Sequence, residues 1–157
     1  MKTISLWQPH PTYIMLGVKP YETRSWAPPR YLIGQRIAIH AAKSLEDLTE
    51  LAEYLVDVKN GCDEEEGYEA LLAPLRLAGF KSLGDLPRGC IIGSAILQSS
   101  VRTETLSNPG PFGDFSTGRF AWHMVDPIAL PEPMLFRGKQ GFFEVPDSVF
   151  EISAELA

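Results

Sequence analysis

Apolar and polar residues alternate in several short runs, and Gly or Pro bounds almost every run. Alternation with period two is the mark of a strand with one face buried. Ile4 to Trp7 reads as a first strand and Tyr21 to Trp26 as a second, closed by Pro28-Pro29. Arg36 to Ala41 is a third, with Ile37 and Ile39 on one face and Ala38 and His40 on the other. Gly89 to Val101 gives the strongest strand signal, with Gly93 placed as a bulge. Arg119 to Val125 alternates again. Pro127 to Phe136 is extended, and Pro131 and Pro133 put it at an edge. Phe142 to Val145 makes a last strand after the turn Gly138–Gly141.

Helical spacing occurs in three places. Pro9 and Pro11 suit the first turn of a short helix that stops at Gly17. Ser44 reads as an N-cap, followed by Leu45, Leu48, Leu51, Ala52 and Leu55 on one face. Glu46, Asp47, Glu50 and Glu53 make its outer face acidic, and Asn60-Gly61 ends it. Asp63 to Glu66 is expected as a solvated loop. A further helix runs from about Tyr68 to Leu77, interrupted near Pro74. No linker flanks this helical stretch. The chain is therefore read as one α+β domain, 1–157, with a helical excursion at about 44–80.

The 157 residues are enough to bury a core without disulfides or metals. Thirteen Gly and thirteen Pro among short apolar runs speak for turns and not for disorder. Fourteen basic and twenty acidic residues leave a net charge of −6, against the broad basic surface that coats duplex nucleic acid. A local basic cleft remains compatible with that balance. Cys62 and Cys90 form no CxxC pair, so reduced thiols in the cytoplasm are expected. No run has membrane-spanning length.

The densest chemistry lies in Gly17-Val-Lys-Pro-Tyr-Glu-Thr-Arg24. Glu22 and Arg24 share a strand face, roughly 6–7 Å apart by strand rise. With Lys19 they can bind phosphate or move a proton; a structural ion pair at a strand end is the plain alternative. Around them stand softer candidates. Trp7 and Trp26 can stack on bases, while Trp122 alternates like a core residue. His40 and Lys43 close one strand. Arg119 and Lys139 follow glycines in turns, where they can reach a cleft. Gly113 to Ser116 is expected as a flexible loop over the rim. His10, His40 and His123 lack metal-site spacing, and no GxSxG or phosphate-loop pattern occurs, so neither a metal nor a cofactor is expected.

Gly17-x-Lys19-x-x-Glu22-x-Arg24 resembles the signature of the ASCH domain family, a PUA-like branch. Further blocks are similar to it in family order: Ile4 to Pro9, Ile39 to Lys43, Pro87 to Ser94, Gly118 to Trp122 and Arg137 to Phe142. The resemblance spans nearly the whole chain. It implies a small mixed β-barrel with helices packed against its ends, and a ligand that is single-stranded RNA, a nucleotide or a nucleoside. In the amidohydrolase members that act on acylated cytidine, the motif lysine activates a threonine three residues later. Lys19 matches that lysine, but Glu22 stands at the threonine position. His10 also departs from a tryptophan common in the family.

The expected site is thus one cleft holding Trp7, Gln8, Lys19, Glu22, Arg24, Trp26, His40, Lys43, Arg119 and Lys139. Phosphate would meet Lys19, Arg24 and Lys43. A base would stack on Trp7 or Trp26, with Gln8 and Glu22 reading its edge. A hydrolase, either ribonuclease or amidohydrolase, is the alternative, with Lys19 and Glu22 as its catalytic pair. A protein-interaction module using the acidic helix is a third reading.

Overall fold

The computed structural model describes residues 1–45, 48–49, 51–53 and 65–150. Among the described residues, six strands form one mixed sheet: β1 (Lys2–Leu6), β2 (Tyr21–Arg24), β3 (Gln35–Ala41), β4 (Cys90–Arg102), β5 (Phe120–Leu135) and β6 (Phe142–Glu144). Their order is β2-β5-β4-β3-β1-β6. All neighbours are antiparallel except β1 and β3. Helix α1 (His10–Met15) follows β1, and α2 (Glu65–Leu77) stands between β3 and β4.

The central strand β3 explains the apolar run Ile37 to Ala41: both of its faces are covered. Ile37 and Ile39 join a core with Ile14, Leu97, Trp122 and Met124. Ala38 joins a second core with Ile91, Leu130, Phe143 and Val145. A third cluster, Tyr13, Leu48, Leu75, Leu86 and Phe112, fixes α2 and the loop before β5 against α1.

β2 and β6, the ends of the ladder, have no hydrogen-bonded register with each other. The sheet nevertheless curls until side chains bridge the gap. Arg24 on β2 donates to the Ser5 carbonyl of β1 at 3.2 Å. Trp26, just past β2, packs edge-on against Phe142 of β6, 6.0 Å between centroids. So the expected barrel is, in backbone terms, a six-stranded mixed sheet, with side chains and not a strand ladder across its seam.

Three expectations need correction. Arg119 to Val125 and Pro127 to Phe136 form one bent strand, β5, turning at Asp126 (φ 50), which Arg36 holds. The prolines still read correctly, because β2 pairs only residues 120–123 and leaves the second half of β5 with β4 alone. α2 runs through Pro74 unbroken, starting at Glu65 inside the expected loop. Only one helical turn follows Pro74, and the Ala78 amide still reaches its carbonyl at 3.1 Å. Gly93 does sit at a register shift, and its reason is space: a Cβ there would stand 2.3 Å from the Met15 sulfur and 2.4 Å from the Ile128 carbonyl. Leu48, Thr49 and 51–53 are helical; most of the acidic face expected there, and Cys62, lie outside the described residues.

Candidate functional site

β2 and the turn before it carry the first part of the site. Lys19 is 2 % exposed. Lysine is rarely buried unless paired, and its Nζ donates to the Phe112 carbonyl at 2.9 Å and faces Glu22 at 3.5 Å. The other Glu22 oxygen takes Arg24 Nε at 2.9 Å, as strand alternation anticipates. One carboxylate thus neutralises two cations. Arg119 pairs with Asp114 at 3.2 Å. Hydrogen bonds from Ser116 hold the Asp114 carboxyl below its usual range, and Arg119 adds to this.

These residues line a cleft of about 540 Å³, together with Ser5, Trp7 and His10. Its roof is the loop expected to be flexible. That loop is tied instead, by Lys19 to the Phe112 carbonyl, by the Asp114 amide to Thr23 Oγ1 at 3.1 Å, and by Thr103 to the Ser116 carbonyl at 2.8 Å.

A second cleft, of about 1210 Å³, adjoins it; Ser5, Trp7 and Arg24 line both. Here stand Lys43, Arg88, Arg137 and Lys139, and no carboxylate among the described residues lines the space. Beneath it, His40 is buried and bonded at both nitrogens. The Phe136 carbonyl, 3.0 Å from Nε2, can only accept, so Nε2 carries the proton. Burial pushes the His40 pKa down, the bond to Phe136 opposing this. The neutral ring then accepts from Ser5 Oγ through Nδ1, at 2.8 Å.

The structure therefore splits nine of the ten expected residues between two spaces. Trp7, Lys19, Glu22, Arg24 and Arg119 line the first; Trp7, Arg24, Trp26, His40, Lys43 and Lys139 line the second. Gln8 lines neither. It is fully buried, its amide donating to the Pro87 carbonyl at 2.7 Å and its oxygen accepting from Thr12 at 2.8 Å, so it cannot read a base. Lys19 does not offer its charge to a phosphate, because Glu22 already holds it. Trp26 is a seam residue: its ring lies 4.8 Å from Trp122, and its carbonyl accepts the Trp122 indole N–H. Trp7, 43 % exposed, is the open aromatic face. Sequence reasoning missed Arg88 and Arg137 as site residues. The signal was present, since each stands beside a glycine in a turn as Arg119 and Lys139 do. Among the described residues no His, Cys, Asp and Glu converge as a metal site, and no helix is long and apolar enough to cross a membrane.

No family model and no curated protein matches the chain. Solved structures do. An ASCH protein from Zymomonas mobilis superposes with a TM-score of 0.55 at 17% identity, over 99% of this chain and 94% of that one. Two single-substitution variants of that protein superpose at 0.52, each at 17% identity and over 99% of this chain, covering 94% and 96% of theirs. The likeness is one of fold: this chain shares the architecture of that ASCH protein.

Proposed function

We propose, with that fold as premise, that the chain binds single-stranded RNA or a nucleotide at the two joined clefts. The observation that carries this reading is a site built from an open indole, a set of ion-paired charges and a separate set of cations. Trp7 offers a stacking face at the junction. Glu22 accepts and Arg24 donates, which matches the mixed donor and acceptor edge of a base. The first cleft, about 540 Å³, falls within the range of roughly 300–1,000 Å³ usual for small-ligand sites. The net charge of −6 confines affinity for a polyanion to this region. The ASCH fold is itself linked to RNA binding and processing. The test is a titration with nucleosides, nucleotides and short fluorescent RNAs. Micromolar or tighter binding that weakens in Trp7→Ala supports the reading, and no binding by the wild type to any of them ends it.

One arrangement favours a second reading, a hydrolase. Ser5 Oγ is hydrogen-bonded to a neutral histidine that a carbonyl orients, at the mouth of both clefts. That is the relation of nucleophile, base and orienting group. Lys19 is the poorer base, since its described contacts, to the Phe112 carbonyl and to Glu22, use it as a donor. Turnover of a short RNA or an acylated nucleoside that vanishes in Ser5→Ala, and survives Lys19→Arg, would select this reading over pure binding.

A further inference from the structure

The two clefts differ in what their cations already do. In the first, each lies beside a carboxylate: Lys19 and Arg24 beside Glu22, Arg119 beside Asp114. A phosphate entering there would compete with the buried Glu22 and the exposed Asp114 for the same charges, and would itself stand beside them. Separating a buried ion pair is costly. In the second cleft Lys43, Arg88, Arg137 and Lys139 make no ion pair with a described carboxylate, although acids outnumber bases in the chain by twenty to fourteen.

These four cations come from three distant segments, and the backbone brings them together. The Gly89 amide donates to the Ala41 carbonyl at 2.7 Å, and the Phe136 amide to the Gly89 carbonyl at 3.1 Å. His40 then holds the Phe136 carbonyl. Gly138 lies flat on the same ring: a Cβ there would stand 2.5 Å from His40 Cε1, so any other residue would lift the turn that bears Arg137 and Lys139. Like charges gathered by fixed hydrogen bonds repel one another, and an anionic ligand relieves that repulsion.

We infer that the ligand is a strand and not a free nucleoside: the uncharged nucleoside end occupies the Glu22 cleft, and the adjoining phosphodiesters run past Arg24 into the basic cleft over His40. This rests on the nucleotide-binding reading above. It adds a division of labour, with base recognition where charges are paired and phosphate recognition where no described carboxylate pairs them. Arg24, shared by both spaces, marks the boundary.

The experiment uses the full chain and a ligand series: cytidine and guanosine, their monophosphates, and RNAs of two to six nucleotides, at several salt concentrations. Affinity should rise at least tenfold from nucleoside to trinucleotide. The double variant Lys43→Ala/Lys139→Ala, changing two exposed side chains, should lose tenfold or more for the trinucleotide and nothing for the nucleoside. Its log–log salt slope should become shallower by about 1.4, at roughly 0.7 per single-strand phosphate contact. Wild-type slope and affinity in the double variant would overturn the inference while leaving the nucleotide reading intact. Equal affinity of the wild type for nucleoside and trinucleotide would also overturn it. Failure of the wild type to bind anything in the series would remove both.

Discussion

The Glu22 cleft and the basic cleft share a wall, yet they use charge in opposite ways. In the first, cations are partly buried and each has a carboxylate; in the second they are mostly exposed and have none among the described residues. A buried pair is a fixed array of donors and acceptors. It orients polar groups but has little net field to offer. Unpaired cations at a rim contribute little to folding and remain available to an anion. The difference teaches that a count of lysines and arginines around a site does not locate its phosphate; their existing partners do.

The largest effect should come from breaking the paired cleft. Glu22→Ala leaves Lys19 buried without its counter-charge, and should destabilise the fold by about 3–5 kcal/mol. Lys43→Ala in the basic cleft should stay within about 0.5 kcal/mol of wild type. Urea melts of both variants check the contrast; equal effects would erase it.

The two tryptophans sharpen the same comparison. Trp7→Ala should cost about 1–3 kcal/mol of RNA affinity, the value of one stacked base, and leave the melting curve in place. Trp26→Ala should instead lower stability by about 1–3 kcal/mol, from two aromatic pairs at roughly 0.5–1.5 each. Melting and titration on both variants distinguish a platform from a seam.

A smaller effect concerns the floor of the basic cleft. His40 has its pKa lowered from the ordinary 6.5, burial being the largest cause. The unfolded chain therefore takes up the proton first. The contribution of neutral His40 to stability is full above pH 6.5 and is lost as pH falls through the lower folded value. Melting temperature should decline over that window in the wild type, and less in His40→Gln. The least effect on stability is expected for Lys139→Ala, which should leave the melting curve in place while weakening trinucleotide binding and making its salt dependence shallower.

What could be read directly were features that depend on neighbours in the chain. Strand alternation put Glu22 and Arg24 side by side, and they are paired at 2.9 Å. Ile37 and Ile39 face one core as their spacing requires. The glycine at position 93 marked a bulge. Period and turn chemistry are local, so the sequence by itself determined most of the strands, α1 and the ion-paired motif, while the join of two runs into β5 was not legible.

The rest depended on contacts between residues far apart. Gln8 looks like a base reader until Pro87, 79 residues away, takes its amide. Trp26 looks like a platform until the sheet curls and brings Phe142 against it. Lys19 looks like a phosphate ligand until the Phe112 carbonyl, 93 residues on, and Glu22 claim it. One expected cleft became two because Arg24 reaches across the seam to Ser5 and stands between them. A side chain's chemistry is set by which partners reach it first, and for these residues only the closed sheet decides that.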